Sequence, residues 1–357
     1  MPSRMRTAAA AVSLAAVAGF AGPAAAKTID ITVASGAPEP VTFVSTFKNI
    51  VSKRINQRLK AEGHDLQINW NHAYGQTLAK LPEVFEAVEE GIAGAGLLLK
   101  NFEPSNLPLE SYAVYTPFIK MSRQQLTQID DDLHKKIPAM MKAYTDHNQI
   151  FLQSGDNDSM QMFTTFPIRK FSDLKGKKIG ASGSFAQWFR GTGAVAVNSS
   201  MTDSYTNIKN GVYDGIPVSI ILSFVFKSYA AAPDYTRVDF GPTVSSALTF
   251  NMDTWKSLPG YARKIIREEA AKWPHEQDVA DAKKRGKFTA IMKKKGVKFA
   301  TLADSERKKW AMAMPNIAKE WAKRLDAKGQ PGTKLLTTYM DELRARNIPI
   351  ARQWDKE

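Results

Sequence analysis

The chain has 357 residues, of which 49 are lysine or arginine and 35 are aspartate or glutamate, giving a formal net charge of +14. It contains no cysteine, which excludes thiol catalysis, iron–sulfur ligation and thiolate zinc sites. A chain of this length can bury enough apolar surface to fold without disulfides.

The first 26 residues have the features of an export signal. Arg4 and Arg6 precede a small, apolar run from residue 7 to residue 20, and three alanines ending at Ala26 provide the small side chains that signal peptidase requires. The run is shorter than the roughly 20 apolar residues of a transmembrane helix. We expect cleavage after Ala26 and a periplasmic mature protein. Loss of the two arginines leaves 47 basic and 35 acidic residues, a net charge of +12.

Strands and helices alternate in the first part of the mature chain. Ile29, Ile31 and Val33 alternate with other residues as in a strand, and apolar residues recur every three to four positions from 41 to 60, which predicts a helix. The predicted elements are a strand at 28–35, a helix at 41–60, a strand at 66–70, a helix at 78–91 and a strand at 93–99. This order is typical of an α/β domain with parallel strands.

The same alternation begins again after residue 148 and predicts a second α/β unit. Its elements are extended segments at 149–153 and 160–166, a strand at 177–181, a helix at 185–191, a strand at 194–197, a further helix and a strand at 216–222. The segments at 149–153 and 247–251 are candidates for crossing between the units. Pro259 opens a predicted helix that ends near residue 295 and would be about 50 Å long. We expect it to lean across both units or to kink at Pro274.

Much of the positive charge lies in this late helix, between residues 283 and 298. Such a surplus can serve nucleic acid, an anionic membrane surface or anionic ligands. The sequence has no zinc-finger spacing and no stacking-aromatic RNA motif, so we expect no nucleic-acid partner. We interpret the charges as a solvated helix face. No segment after the export signal is long and apolar enough for membrane insertion.

No catalytic or cofactor motif is complete. Residues 180–184 only approach a nucleophile elbow, and the glycine-rich residues 91–96 lack the pattern of a dinucleotide site. The five histidines are scattered, without metal-ligand spacing. The acidic run 130–132 is expected to be solvated or to cap a helix. The sequence therefore predicts a protein that is not an enzyme and that needs no cofactor and no metal.

Several short motifs follow one another along the mature chain. They combine a Gly-Gln-x-Leu run with Glu-Ala-Val, a Thr-Pro-Phe run, Asp-Leu-Lys-Gly-Lys-Lys-Ile, Asn-Gly-x-x-Asp-Gly and Asn-x-x-x-Trp-x-x-Leu-Pro. In this sequence they lie at 72–78, 84–96, 116–118, 171–179, 207–215 and 251–259. Each is weak alone, but together they resemble the solute-binding subunit of TRAP transporters, the DctP-like family. Their order and spacing fit this family over nearly the whole mature chain.

The resemblance implies a bilobal α/β fold of the periplasmic-binding-protein type, with crossing hinge strands and a long spanning helix. It implies that a solute binds in the cleft between the lobes and is delivered to the membrane permease of an ion-driven transporter. We expect lobe I at 27–152 plus about 242–275, and lobe II at 153–241 plus about 276–325. Residues 326–357 would form a C-terminal helical segment that packs on the lobes.

The sequence departs from the family where a carboxylate is usually anchored. Family members often place one arginine directly after the Lys-Ile strand and another seven residues before a following proline, because guanidinium meets both carboxylate oxygens. Here these positions are Gly180 and Met160. The positions after Asp-Gly are apolar, at Pro217 and Val218, and the third strand ends in Leu99. These four changes together indicate an altered pocket.

Aromatic residues are dense in the same loops, and an aromatic wall with few polar groups suits an aromatic or largely apolar solute. For each aromatic residue alone, a place in the core is the simpler interpretation. Arg190 and Arg169 are the nearest replacements for the lost anchor, and if the ligand is an acid we expect Arg190 to bind it. The candidate ligand-binding residues are Phe43, Tyr74, Leu99, Met160, Gly180, Phe185, Trp188, Arg190, Tyr213, Pro217 and Val218.

Three functional classes stay open on sequence alone. The leading hypothesis is a periplasmic receptor for a small organic solute. An aromatic or largely apolar metabolite, aromatic acids included, is favoured over a plain dicarboxylate or a sugar acid. The same fold can instead serve a sensor that signals to a membrane receptor. An exported enzyme on a bilobal scaffold is a third class, and it would need a nucleophile, a base or a metal in the cleft.

Overall fold

The computed structural model describes residues 27–157, 159–181 and 183–357. The predicted export signal at 1–26 lies outside these residues. Within the described part, no helix combines the length and the apolar character that crossing a bilayer requires.

The strands form two sheets, one in each lobe. The strands are β1 (Lys27–Ser35), β2 (Leu66–Tyr74), β3 (Ala95–Leu99), β4 (Gln149–Asn157), β5 (Gln161–Thr164), β6 (Lys178–Ala181), β7 (Val195–Asn198), β8 (Gly215–Val218), β9 (Asp234–Arg237), β10 (Thr243–Asn251) and β11 (Lys298–Thr301). The first sheet has the order β2-β1-β3-β10-β4 and the second has the order β11-β9-β5-β8-β6-β7. β1 pairs in parallel with β2 and β3, as predicted.

Two strands of the first sheet carry the chain between the lobes. β4 ends at Asn157 and the chain enters the second sheet at Gln161, while β9 ends at Arg237 and the chain returns to the first sheet at Thr243. β4 and β10 are antiparallel neighbours. The predicted crossing strands are therefore confirmed.

Helices cover both sheets. They are α1 (Thr42–Thr46), which continues through a π-helical turn (Phe47–Val51) into α2 (Ser52–Ala61), then α3 (Val84–Glu89), α4 (Tyr112–Tyr115), α5 (Arg123–Lys136), α6 (Pro138–Thr145), α7 (Ser204–Lys209), α8 (Ile220–Val225), α9 (Ser228–Ala231), α10 (Met252–Ser257), α11 (Gly260–Lys294), α12 (Asp304–Ala313), α13 (Ile317–Asp326) and α14 (Gly332–Ala345). Together with the two sheets they confirm the predicted bilobal α/β fold.

The long helix α11 spans both lobes and stays helical through Pro274. On the first lobe, the Trp273 indole N–H donates to the carbonyl of Phe43, at 3.2 Å. On the second lobe, Phe288 stacks on Phe224 of α8 with ring centroids 3.9 Å apart. The predicted spanning helix is thus confirmed.

Two predicted elements differ from the structure. Residues Gly183–Phe189 form a 3₁₀-helix in place of the α-helix predicted at 185–191. The strand predicted at 216–222 ends at Val218, because the Ser219 hydroxyl accepts a hydrogen bond from the Leu222 amide and caps α8. An apolar run of this length does not by itself distinguish a strand from a buried helical turn.

The buried residues form one large cluster around the second sheet and two smaller clusters around the first. Helix α5 and the C-terminal helices α13 and α14 contribute to the large cluster. The lobe boundaries given above stay predictions.

Candidate functional site

Several predicted site residues lie on one edge of the second sheet. Gln161, the first residue of β5, pairs with Val218, the last residue of β8, and Met160 directly precedes it. β6 runs parallel to β8, so Gly180 lies toward the same edge. The crossing strand β4 enters the second lobe here, and this edge therefore faces the first lobe.

The opposing edge belongs to the first sheet. Leu99 ends β3 and pairs with Ser246 of β10, while Tyr74 ends β2 and pairs with Ser35 of β1. Both predicted residues are partly buried. Phe43 of α1 is buried in the core of the first lobe and contributes its carbonyl to Trp273.

The two lobes touch at this cleft. Leu222 of α8 packs against buried residues of both lobes. A Cβ atom built on Gly183 in the loop after β6 would lie 3.5 Å from the Asn101 carbonyl oxygen, just after β3. The cleft is therefore bounded by the ends of both sheets and by short contacts across them.

Gly180 has no room for a side chain. A Cβ atom built there would lie 2.5 Å from ring atoms of Tyr213. The Tyr213 ring is buried, and its hydroxyl lies 3.3 Å from the Ser199 hydroxyl. Burial raises the pKa of this phenol, which keeps it neutral. The space that an anchoring arginine would enter is thus filled by a neutral aromatic ring.

The other predicted residues of this edge are apolar and buried. Met160 and Val218 are at most 1% exposed, and Pro217 is buried within β8. None of them offers a charge to a ligand. They form part of the large buried cluster of the second lobe or adjoin it.

Phe185 and Trp188 pack in the core of the second lobe. Their rings meet edge to face, 4.7 Å apart, and Trp188 also stacks on Phe240 at 4.4 Å. The Trp188 indole N–H donates to the Val114 carbonyl at 2.7 Å. Both side chains are at most 1% exposed, so in this conformation they support the cleft from beneath.

Arg190 lies on the surface. Its guanidinium forms an ion pair with Glu320 of α13 at 2.5 Å, and its side chain is 42% exposed. It also donates to the Gln187 side chain. A group in this position does not fit the role of a buried carboxylate anchor that the sequence analysis gave it.

Lys100, immediately after β3, is the cation that sequence analysis missed. Its side chain is fully buried, and its ammonium donates to Glu110 at 2.5 Å and to the Ser154 hydroxyl of β4 at 2.8 Å. Asp130 lies 3.6 Å away. The buried set is completed by His134, whose ring lies 2.8 Å from the other oxygen of Glu110.

Opposite charges balance each other inside this buried set. Burial alone would raise the pKa of Glu110, but His134 and Lys100 outweigh it and lower the pKa to about 2. Burial alone would lower the pKa of His134, but Glu110 and Asp130 raise it to about 9. Glu110 is therefore ionised and His134 protonated at neutral pH. The Lys100 ammonium is already bound to Glu110 and Ser154, so it is not free to bind a solute.

This arrangement corrects the expectation for the acidic run 130–132. Asp130 was expected to be solvated but is fully buried, because it lies on the apolar side of α5 with Leu126, Ile129 and Leu133. Asp130 and His134 are four residues apart, a spacing that places both on one helix face. With Glu110 they offer ligand atoms within 4.8 Å of one another. The Lys100 ammonium donates to Glu110 and lies 3.6 Å from Asp130, so these two carboxylates already have a cation beside them.

Two buried polar groups were also missed. The Ser246 hydroxyl of β10 and the Gln277 side-chain nitrogen of α11 have no hydrogen-bond partner among the described residues. Both adjoin Gly155 of β4, where any side chain would collide with them. Unpaired polar groups beside the cleft are candidates for contact with a solute or with water.

A cavity of about 860 Å³ lies at the hinge, beside the crossing connections. It contains none of the predicted site residues. Its charged groups include Arg123, which is paired with Asp278 and Asp281, and Arg237, which is paired with Asp239. Because these two arginines already have carboxylate partners, neither is free to replace the missing anchors.

Comparison with known proteins gives a family and a fold. The family model DctP, described as bacterial extracellular solute-binding protein, family 7, matches residues 44–324. A search of curated proteins finds no match.

Among solved structures, a TRAP periplasmic solute binding protein from Desulfovibrio salexigens with bound orotic acid has a TM-score of 0.77 and 19% identity, covering 88% of this chain and 99% of that one. DctP6 from Bordetella pertussis, an extracytoplasmic solute receptor binding pyroglutamic acid, has a TM-score of 0.75 and 17% identity, covering 88% and 100%. A TRAP periplasmic solute binding protein from Pseudomonas putida F1 with bound D-glucuronate has a TM-score of 0.71 and 19% identity, covering 84% and 94%. This chain shares their fold.

Proposed function

Because the chain belongs to the bacterial extracellular solute-binding proteins of family 7, we propose that it is the periplasmic solute receptor of a TRAP-type secondary transporter. It captures an aromatic or largely apolar organic solute in the cleft between its lobes and delivers it to the membrane permease. Contacts with both lobes stabilise the closed state. The protein carries out no catalysis in this role.

The observation that carries the ligand class is the Tyr213 ring at Gly180. A carboxylate in a dry cleft is costly without a cationic partner. Gly180 and Met160 offer no charge, Lys100 is neutralised by Glu110, and Arg190 is paired at the surface. The related structures named above carry acids. In this chain an acidic group would rely on neutral donors such as Gln277, and the body of the solute would provide most of the affinity.

We propose ligand contacts from both edges of the cleft. Tyr74 and Leu99 contribute from the first lobe, and Tyr213 with its neighbours contributes from the second. Hinge opening gives the solute access to side chains that are buried in the conformation described here. The proposed set is Phe43, Tyr74, Leu99, Met160, Gly180, Phe185, Trp188, Tyr213, Pro217 and Val218, with Ser246 and Gln277 added as polar contacts.

Thermal-shift measurements on the exported protein test the ligand class. The panel contains aromatic acids, the neutral amides of the same acids, aliphatic dicarboxylates and sugar acids. A ligand that binds only the folded state raises the melting temperature in proportion to the logarithm of its concentration. We expect the aromatic acids and their amides to stabilise comparably. Stabilisation by aliphatic dicarboxylates alone would overturn the proposed ligand class.

A matched pair of variants tests the location. Leu99 ends β3 at the cleft, whereas the exposed Ile92 lies before β3, at the opposite end of the same strand. Leu99→Glu should abolish the ligand-induced shift, since it places an unpaired carboxylate in the cleft. Ile92→Glu should leave the shift unchanged. Equal effects of both variants would remove the cleft as the binding site.

The proposed periplasmic location and cleavage after Ala26 are tested separately. N-terminal sequencing of the protein recovered from the periplasmic fraction should begin at Lys27. Retention of the first 26 residues in the membrane fraction would contradict the proposed processing.

A further inference from the structure

The end of α11 and the strand after it form an acid-free, strongly basic stretch. From residue 282 to residue 303 the sequence contains no aspartate or glutamate and eight lysines or arginines. The proposed solute-binding role uses none of them. They are Lys283, Lys284, Arg285, Lys287, Lys293, Lys294, Lys295 and Lys298.

Three of these lysines share one side of the helix. At 100° per residue, Lys283, Lys287 and Lys294 fall within about 40° of one another around the helix axis, and they extend along it for about 16 Å. All three are exposed. Lys284 faces elsewhere, since its ammonium donates to the Pro40 carbonyl at 2.9 Å.

This lysine face (Lys283, Lys287 and Lys294) has no carboxylate partner among the described residues. The acids that precede it on α11 are occupied, because Asp278 and Asp281 pair with Arg123. Three ammonium groups thus lie on one side of the helix without a carboxylate to neutralise them. An opposite charge from outside the chain is the remaining partner.

The residues between these lysines on this side of the helix have small side chains or none. Gly286 and the exposed Ala290 lie between them, and a Cβ atom built on Gly286 would meet nothing within 4 Å. The nearby Phe288 is stacked against Phe224 and is not free to stack on a nucleic-acid base or to enter an acyl layer. The face therefore suits electrostatic adsorption to a flat anionic surface, without insertion.

We propose that the lysine face docks the protein on the surface of an anionic phospholipid bilayer. Each lysine near such a surface contributes about 1 kcal/mol, and the attraction falls off within a Debye length. Adsorption through these exposed side chains would keep the protein close to the membrane. The proposal does not depend on which solute the cleft binds.

Sedimentation with lipid vesicles tests this proposal. The full chain is expressed with its own leader, and the exported form of each variant is purified, so that all variants share one N-terminus. We expect binding to vesicles of phosphatidylcholine mixed with phosphatidylglycerol at low salt, little binding to pure phosphatidylcholine, and release at high salt. The variant K283Q/K287Q/K294Q should bind about 100-fold more weakly, from about 1 kcal/mol for each lysine.

The matched control removes the same charge elsewhere. Lys53, Lys60 and Lys256 are exposed lysines of α2 and α10, and K53Q/K60Q/K256Q should weaken vesicle binding only a few-fold. Equal losses in both triple variants would mean that net charge and not this face is responsible, which overturns the proposal. So would equal binding to neutral vesicles, or retention of duplex DNA but not of anionic vesicles. Melting curves confirm folding, and an unchanged solute-induced shift separates this face from the cleft.

Discussion

Lys100 at the end of β3 and Gly180 near the end of β6 stand at the two edges of the same cleft, and they deal with charge in opposite ways. At the first edge a lysine is present but is fully buried and paired with Glu110. At the second edge the position has no side chain, and the Tyr213 ring takes the space. Neither of these two positions offers a free cation to the cleft. A charged residue at a strand end therefore does not by itself make its charge available to a ligand.

The largest expected effect is that of removing the buried cation at the first edge, Lys100. Lys100→Met should destabilise the protein by about 3–5 kcal/mol, because it removes the ammonium that donates to the buried Glu110 carboxylate and lies 3.6 Å from Asp130. Urea denaturation measures the change. Lys80→Met is the control, since Lys80 is 69% exposed, and it should change the free energy of unfolding by less than about 0.5 kcal/mol. A loss below about 1 kcal/mol for Lys100→Met would mean that water reaches this set.

The pH dependence of stability tests the same buried charged set. The pKa of His134 is raised to about 9, so its contribution is fully present below its unfolded-state pKa near 6.5 and is lost as the pH rises through 9. The free energy of unfolding should fall by up to about 1.4 kcal/mol per pH unit in that window. Glu110 acts in the opposite direction. Its pKa is lowered to about 2, so its contribution is lost as the pH falls from about 4.5 through 2.

Denaturation curves at several pH values measure both slopes, and His134→Gln is the informative variant. It should flatten the decline between pH 7 and pH 9 while leaving the acid limb in place. The groups that face His134 are Glu110, Asp130 and Lys100, and Phe151 stacks on its ring. A decline that persists in the variant would assign the alkaline limb to another group.

Much of the fold followed from the sequence, because alternation and helical periodicity are local properties. The strands from Lys27 to Leu99 and the long helix α11 are examples. The site was harder, because burial is a property of the tertiary structure. Asp130 belongs to a run of three acids that reads as solvent-exposed, yet its position on the apolar side of α5 puts it in the core. Arg190 follows an aromatic segment next to the cleft, but the turn after the 3₁₀-helix directs it to Glu320.

Gly180→Ala adds a side chain at the second edge of the cleft and should have the next largest effect. The new Cβ atom would lie 2.5 Å from the Tyr213 ring, so overpacking should cost about 1–3 kcal/mol. In a Tyr213→Leu background the cost should shrink, and a double-mutant cycle measures the coupling. Gly286→Ala is the control, because Gly286 lies in an exposed stretch of α11 and alanine is the better helix former there. An additive cycle would show that Tyr213 does not limit the space at Gly180.

The smallest expected effect is that of Arg190→Ala. This variant tests whether the second edge has a cation that binds an acidic solute. The ion pair with Glu320 is exposed on both sides, with side-chain exposures of 42% and 47%, so its loss should cost at most about 1 kcal/mol of stability. Solute affinity should not change. If Arg190 instead anchors an acidic solute after lobe closure, its removal should weaken that solute by about 2–5 kcal/mol. Calorimetric titration of the variant with the solute identified by thermal shift separates these outcomes, because truncating a surface pair leaves the binding constant intact whereas truncating an anchor does not.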